Sequence, residues 1–559
     1  MATTAASPSA AASASSTAFQ APPIPTTWRS SLNAWFRGVQ RDTAAAELHL
    51  YSMSTPYFRS ATLDNAPNAP LDVAHAAAAG KVSGGGHATD LDTDGHAGRA
   101  TTGAELAADG KVGSIRLVDI GPERHKKPIS GIGSWLGRKE TPRLVNMLEI
   151  GTPQTRESEE KVILLHGYGA GTAFYFQNLE AISQHPNSRL YALDWLGMGR
   201  SARVPFDVPK SAQANTDTRV EAAESFFTDS LEDWREVMGL EKMTLVGHSL
   251  GGYLSIAYTL KYPERVNRLV LISPAGIGAD PDRGEETFAP KNEAKQEHDT
   301  HSSRQREWSG NTELSNSEPD AVVAEVRTQQ ADVAPSTSTM AAEDARRVAE
   351  KAEAAGKKAS EGTSAKDDGE YQHNPPPRLG KRRRQILTTL WDANFSPFGL
   401  LRNSFFFGPM LAGRYTSRRF GALSDEQLRT MHSYTAGIFM ARGSSEYALA
   451  HLLAPGAYAR KPMVDRIAPI KVPVSFMYGE HDWMDIQGGK EAVQRLKDAG
   501  NAHGSVFCVP HAGHHITLDN PRASNTLIRK ILLGQADVAA KEGRRLRVGS
   551  GFSSDSETI

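Results

Sequence analysis

The chain has a single cysteine, Cys508, in 559 residues. One thiol excludes an internal disulfide framework and suits a reducing compartment. Cys508 lies in an apolar run and reads as a small core hydrophobe. With no C-x-x-C pair and no H-E-x-x-H, no metal site is expected. No run of about 18 apolar residues occurs, so no membrane-spanning helix is expected. Neither sign of charge prevails: 63 Lys and Arg face 64 Asp and Glu, a formal net charge of -1. That balance lacks the basic footprint of a nucleic-acid binder.

Apolar surface is also missing over long stretches. Residues 1–27 carry no charge and are mostly Ala, Ser, Thr and Pro, and about 70–112 is rich in Ala and Gly. Residues 279–385 are polar and charged, and the tail after 537 is polar. Such segments bury too little to offset the entropy of ordering and are expected to be disordered. An Ala/Glu/Lys part near 340–360 reads as a stray solvated helix. The expected organisation is a disordered N-terminal extension over 1–112 with an amphipathic segment near 28–50, a first core part over 113–278, and a disordered insert over 279–385. A cap over 386–466, a second core part over 467–536 and a disordered tail over 537–559 complete it. The remaining core and cap suffice for one large domain with a lid.

What is present is a strand, a sharp turn and a helix around one serine. Met243-Thr244-Leu245-Val246 runs into Gly247-His248-Ser249-Leu250-Gly251, and Gly252 to Tyr258 reads as a helix. This is the G-x-S-x-G elbow in its meaningful context. The turn lifts the Ser249 hydroxyl above the sheet and aims the Leu250 amide into the same space as an oxyanion donor. Lys161 to Leu165 is an apolar strand ending in His166-Gly167-Tyr168-Gly169, where the Tyr168 amide is the second donor. Further strands are expected at Ser114–Ile120, Leu144–Ile150, Arg189–Asp194, Val266–Ile272, Val472–Gly479 and Gly504–Val509, with 131–137 as a loop between the first two. A helix from Val220 to Met238 carries Phe226, Phe227, Leu231, Trp234 and Val237 at core-facing spacing. Asn520-Pro521 is a good helix start, with Asn as N-cap and Pro in the first turn.

Each candidate follows the C-terminal end of a strand, where open parallel sheets bind ligands. Serine is a weak nucleophile without a base, and the base needs a carboxylate to hold its tautomer. His514 is the base, with His515 as its rival. Asp482 is the acid, with Asp485 as its rival. His166 and His248 read as residues that shape the loop and elbow, and His481 and His511 as exposed loop residues. The order Ser, acid, His is that of α/β-hydrolases, and the expected fold class is α/β, a mostly parallel sheet with helices on both faces and a helical cap.

Met243 to Leu254, Trp234-Arg235, Asp482-Trp483-Met484-Asp485 and Gly513-His514-His515-Ile516-Thr517-Leu518-Asp519 resemble one α/β-hydrolase subfamily. It holds cardiolipin-specific deacylases, lysophosphatidic-acid acyltransferase-like proteins, an N-acyl-phospholipid lipase and the co-activator of adipose triglyceride lipase. The resemblance covers about 113–278 and 386–536, and neither the insert nor the N-terminal extension belongs to the usual pattern. It implies a serine hydrolase deacylating a membrane glycerophospholipid, cardiolipin foremost, without a cofactor. An acyl-CoA-dependent acyltransferase, with acyl-CoA as co-substrate, and a non-catalytic lipase-recruiting scaffold are the alternatives. The co-activator branch lacks the serine that this chain keeps as Ser249. His514 and Asp519 have the H-x4-D spacing discussed for acyltransferases; the plainer reading of Asp519 is that it structures the turn before the last helix.

The expected partner is a phospholipid membrane surface, with no nucleic acid and no metal. Lys381-Arg382-Arg383-Arg384 precedes Leu390, Trp391, Phe395, Phe398, Leu400 and Phe405-Phe406-Phe407, a basic cluster beside apolar side chains that suits anionic lipid. Trp28, Leu32, Trp35 and Phe36 alternate with Arg29, Arg37 and Arg41, and no Asp or Glu precedes Asp42. That pattern fits a mitochondrial transit peptide and equally a Trp-anchored segment. The expected location is the mitochondrion, peripheral on the inner membrane, with the cytosol or a lipid-droplet surface as the alternative.

Overall fold

The structure, a computed structural model, describes residues 19–37, 43–58, 107–123, 142–152, 159–206, 215–279, 389–391 and 395–535, with short stretches at 62–63, 101–102, 208 and 322–323. The central sheet is built from β1 (Val112–Asp119), β2 (Leu144–Gly151), β3 (Glu160–Leu165), β4 (Ser188–Leu193), β5 (Met243–His248), β6 (Val266–Ile272), β7 (Val474–Gly479) and β8 (Gly504–Val509). Their spatial order is β1-β2-β4-β3-β5-β6-β7-β8, with the two-residue strand Val322–Val323 beyond β8. β1, β2 and β4 pair antiparallel; every pairing from β4 through β8 is parallel. This is the α/β-hydrolase fold class expected from the sequence.

The parallel strands read as unbroken apolar runs because both faces are covered. Ile163, Leu165, Leu245, Leu269, Leu271 and Phe476 pack on one side. Val162, Leu164, Val246, Val270, Ile272 and Met477 pack on the other. The alternation is the period-two geometry of a strand. Of the longer helices, α1 is Trp28–Arg37, α2 Thr43–Ser54, α3 Thr216–Val237, α4 Leu250–Lys261, α5 Pro397–Asn403, α6 Phe407–Arg419, α7 Asp425–Met440, α8 Ile486–Asp498 and α9 Pro521–Leu532. The first face is covered by α3, α4 and α8, with Phe227, Leu231 and Trp234 of α3 in the core. The second is covered by the short helix Leu179–Ser183, by α9 and by α2 and α7.

Local chemistry sets the helix ends. The Asn215 side chain accepts the amides of Asp217 and Thr218 ahead of α3. Ser424 and Gln427 form a reciprocal capping box at α7, which satisfies two amides that a helix start leaves unpaired. Asn520 caps α9 through the Ala523 amide, with Pro521 in the first turn. Cys508 is buried on β8, and burial pushes its thiol up to about 11.

Between β6 and β7 stand the cap helices α5, α6 and α7 and the short helix Leu449–Leu452. The structure corrects the expectation for the N-terminal segment. Trp28–Arg37 and Thr43–Ser54 are helices, and both pack on the cap: α1 against α6, α2 against α7. The reason is burial nearly all round α2, with Ala44, Ala46, Leu48, Leu50 and Tyr51 all enclosed. A helix buried on several sides shows no one-sided stripe to reveal its place in a core. Of the other segments expected to be disordered, 19–27, 55–58, 107–112 and the short stretches named above are described; the rest, with the loop at 131–137, the helix near 340–360 and the basic run 381–384, lies outside the described residues. Among the described residues no helix is long and apolar enough to cross a membrane.

Candidate active site

The elbow follows from crowding. Ser249 sits between β5 and α4 at φ 54° and ψ −116°, a conformation that strains a residue with a side chain. The turn is held from both sides: the Ser249 amide donates to Ile272 O at 2.9 Å, and its carbonyl accepts the amide of Ala275 at 3.1 Å. A Cβ at Gly251 would run into the backbone carbonyls of Leu165 and His166, so α4 crosses β3 only with glycine there.

Three strand ends converge on this serine. His514 Nε2 lies 3.1 Å from Ser249 Oγ, and His514 Nδ1 lies 3.3 Å from Asp482 Oδ1. Asp482 is 1 % exposed. It accepts the Met484 amide at 3.1 Å, the Gly479 amide at 3.4 Å and the Ser273 hydroxyl. Burial pushes the Asp482 carboxyl up, but the hydrogen bond and charge of His514, with the Ser273 and Met484 donors, more than offset it, and the group sits below its ordinary value. It therefore stays ionised at neutral pH and fixes the His514 tautomer, with the proton on Nδ1 and the free Nε2 lone pair toward Ser249. Asp485 is placed elsewhere: it caps α8 through the Gln487 amide at 2.9 Å.

The two histidines packed beside His514, His248 and His515, are held neutral. His248 Nε2–H donates to the His514 carbonyl at 2.9 Å, and burial, then the neighbouring His514, push its pKa down to about 3. His515 is half-buried, and desolvation, then the nearby Arg419, lowers it well below its ordinary value. It rests against Phe174, with ring centroids 6.0 Å apart. His481 and His511 are exposed beside Glu480. Trp483, half-exposed, walls the site with its ring 5.1 Å from that of His514.

The loop after β3 passes close to the serine. A Cβ at Gly167 would meet Ser249 Cβ at 2.9 Å and His248 Nδ1 at 3.1 Å. His166 Nε2 accepts the Trp195 amide at 3.1 Å, so its proton is on Nδ1, which donates to Gly167 O at 2.7 Å. That carbonyl belongs to the same planar peptide as the Tyr168 amide. Fixing the carbonyl fixes the N–H on the opposite side. Burial pushes the His166 pKa down to about 4, so this tautomer persists at neutral pH. The Leu250 amide opens α4, where helix amides have no intrahelical acceptor. The Tyr168 ring carries the cap: Phe398 of α5 stacks on it at 5.1 Å, and Phe439 of α7 lies 4.6 Å from Phe398.

Asp519, five residues after His514, does not turn toward it. Its carboxylate accepts the Gly513 amide at 3.0 Å and pairs with Arg419 of α6 at 3.0 Å. Ser273 and Arg419 escaped the sequence reading. The one signal for Ser273 is a polar residue ending β6 beside the strand that carries the acid; nothing in the sequence marks Arg419 among its neighbours.

Such an arrangement supplies a hydroxyl beside an imidazole that a buried carboxylate holds, the parts that base-activated acyl transfer requires. The comparisons bear on the family. A family model of the alpha/beta hydrolase fold matches residues 161–521. A probable 1-acylglycerol-3-phosphate O-acyltransferase of Oryza sativa subsp. japonica is 26% identical over 420 residues, covering 73% of this chain and 76% of that protein. The 1-acylglycerol-3-phosphate O-acyltransferase of Arabidopsis thaliana is 29% identical over 376 residues, 66% of each chain. A (lyso)-N-acylphosphatidylethanolamine lipase of Bos taurus is 25% identical over 385 residues, covering 68% of this chain and 81% of that protein. With the sheet order, the elbow and a match over well more than half its length, this chain belongs to the α/β-hydrolase fold family.

Proposed function

We propose that the protein is a serine carboxylic-ester hydrolase that deacylates a membrane glycerophospholipid. The observation that carries this reading is the line Ser249 Oγ, His514 Nε2, His514 Nδ1, Asp482 Oδ1, with contacts of 3.1 and 3.3 Å at its two joints. Ser249 attacks the acyl carbonyl while His514 takes its proton. Asp482 stabilises the imidazolium, and the amides of Tyr168 and Leu250 receive the developing oxyanion. Collapse of the tetrahedral intermediate breaks the ester bond, and His514 returns the proton to the lysolipid oxygen. Water, deprotonated by His514, then cleaves the acyl-serine ester. No cofactor enters either half.

The lipid substrate class is supported by the names of the relatives, all of which refer to glycerophospholipids or their lyso forms. The surface agrees. Trp28, Trp35 and Phe36 of α1 stand exposed beside Phe405 and Phe407, and Ser31 ties the two by donating to Phe406 O and accepting the Met410 amide at 2.8 Å. Arg29 and Arg37 flank them. Of the cap residues read as lipid-facing, Phe395, Leu400, Phe405 and Phe407 are exposed, whereas Trp391 donates inward to Leu453 O and Phe398 stacks on Tyr168. An apolar face rimmed by cations suits an anionic membrane, with peripheral attachment on the mitochondrial inner membrane or a lipid-droplet surface. Within this class we take cardiolipin as the first substrate to test, following the resemblance in the sequence.

A second reading, acyl-CoA-dependent acylation of lysophosphatidic acid, is favoured by the names of the two plant relatives. It shares the acyl-Ser249 intermediate and differs in the acceptor. The position of Asp519, engaged with Gly513 and Arg419, favours a supporting role over participation in that transfer. A fluorophosphonate probe tests the shared step. Stoichiometric labelling of the wild type at Ser249 is expected, and an unlabelled, folded wild type would leave the protein a scaffold.

A further inference from the structure

Glu47 of α2 is 0 % exposed and lies upstream of the family match, which begins at residue 161. Its carboxylate accepts the Thr172 hydroxyl at 2.6 Å and the Asn146 side-chain amide at 3.2 Å, and it pairs with Arg200. These partners come from β2, from the loop after β3 and from the loop after β4. Asp194 sits beside them. It accepts the Thr172 amide at 2.7 Å, the Arg200 amide at 2.7 Å and the Asn146 side chain at 2.9 Å. It also lies 3.6 Å from His166 Nε2. Arg203, buried as well, donates to Ser201 O and Gly199 O at 2.9 and 2.7 Å. Two carboxylates and two guanidiniums thus balance inside the protein, and one of the four is supplied by the N-terminal segment.

We propose that Glu47 is a positioning residue for the Tyr168 oxyanion donor, so that α2 is a working part of the active site. The inference rests on the ester-hydrolase reading above. The argument runs through competition for Arg200. While Glu47 holds the guanidinium, Asp194 is free to bind the Thr172 amide and keep the loop after β3 in place. Thr172 is held at two points, by its amide to Asp194 and by its hydroxyl to Glu47. Thr172 follows Gly167-Tyr168 by four residues, and the next residue after Asp194 is Trp195, whose amide fixes His166. Without the Glu47 charge, Arg200 loses its partner in a buried site, where an unpaired ion is strongly unfavourable. Its one remaining buried carboxylate is Asp194. Drawing Asp194 to the guanidinium releases Thr172 and lets the Gly167–Tyr168 peptide turn. A donor misplaced by about 1 Å costs on the order of a hundredfold in rate.

The test uses the full chain with Glu47→Gln, Glu47→Asp and Thr172→Val. Thr172→Val removes the hydroxyl bond while keeping all four charges and the side-chain shape. Each variant is measured for thermal midpoint, for kcat and KM on a short-chain p-nitrophenyl ester, and for the rate of fluorophosphonate labelling at Ser249. Glu47→Gln is expected to lower kcat and labelling rate by about tenfold to a hundredfold with KM nearly unchanged. Thr172→Val is expected to fall in the same direction by less, and Glu47→Asp to recover part of the loss. A purely structural role shifts the midpoint and leaves kcat of the folded fraction alone. Folded variants with wild-type kcat and labelling overturn this inference alone, and Thr172→Val decides if Glu47→Gln does not fold. A wild type that neither labels nor turns over ester overturns the hydrolase reading and this inference together.

Discussion

Arg419, the last residue of cap helix α6, lies 3.0 Å from Asp519, Nη1 to Oδ1. The other oxygen of that carboxylate holds the Gly513 amide, immediately before His514. One carboxylate thus ties the cap to the loop that presents the candidate base. Asp519→Asn is expected to lower hydrolysis and any acyl transfer together, by about tenfold, because it loosens His514 for both. Arg419→Ala is expected to do the same more weakly. Transfer abolished with hydrolysis intact would instead make Asp519 part of an acyltransferase motif. Product analysis of each variant on liposomes, with and without acyl-CoA, distinguishes the two.

Gly167 is a second point where small change has large effect. Its missing side chain leaves room for Ser249 Cβ at 2.9 Å and His248 Nδ1 at 3.1 Å. Gly167→Ala is expected to push the oxyanion loop off the serine and lower kcat by about a hundredfold, the scale of losing one oxyanion donor. The check is steady-state kinetics beside a melting curve, since overpacking of this size also costs about 1–3 kcal/mol of stability.

Stability is expected to fall with acid well above the carboxylate range. Burial pushes His166 and His432 down to about 4 and, with the nearby His514, pushes His248 down to about 3. Unfolded imidazoles take up protons below about 6.5. The unfolded state therefore binds more protons between about pH 6.5 and 4. The contribution of these residues is complete above that window and is lost as pH falls through it, by up to about 1.4 kcal/mol per pH unit for each. Denaturant unfolding at pH 7, 6 and 5 measures the slope. His432→Gln, far from the candidate triad and beside Thr416 in the cap, is expected to flatten it by about one proton; an unchanged slope would contradict the assignment.

The exposed aromatic face predicts a separable phenotype. Replacing Trp35, Phe36 and Phe405 by serine is expected to abolish binding to anionic vesicles in flotation while leaving turnover of a soluble ester unchanged. Retained vesicle binding would remove this face from the membrane account.

The sheet was legible because strands covered on both faces must be apolar throughout, and β6 and β8 were read to the residue. The elbow was legible because two glycines and a strand before a helix leave little else for that segment to be. Asp482 and Asp485 were separable only in space: both follow β7, but Asp482 alone faces His514, while Asp485 caps a helix. The place of α2 was hidden for a different reason. Its neighbours are Ala, Leu and Tyr buried on several sides, and the residue that explains its position, Glu47, is polar. Its buried partner Arg200 lies 153 positions away, and no local pattern reports such a pairing.

The central claim is that Ser249 removes an acyl chain from a glycerophospholipid. The most direct test is lipid mass spectrometry of wild-type and Ser249→Ala protein on liposomes of cardiolipin, phosphatidylcholine and lysophosphatidic acid, with and without acyl-CoA. The account predicts lysophospholipid and free fatty acid from the wild type without acyl-CoA, monolysocardiolipin first among them. It predicts a fall of about 10⁶ in kcat for Ser249→Ala. Phosphatidic acid formed only with acyl-CoA would move the protein to the acyltransferase reading. A Ser249→Ala protein that keeps a tenth of the activity, or a wild type with no lipid turnover under either condition, would contradict the account.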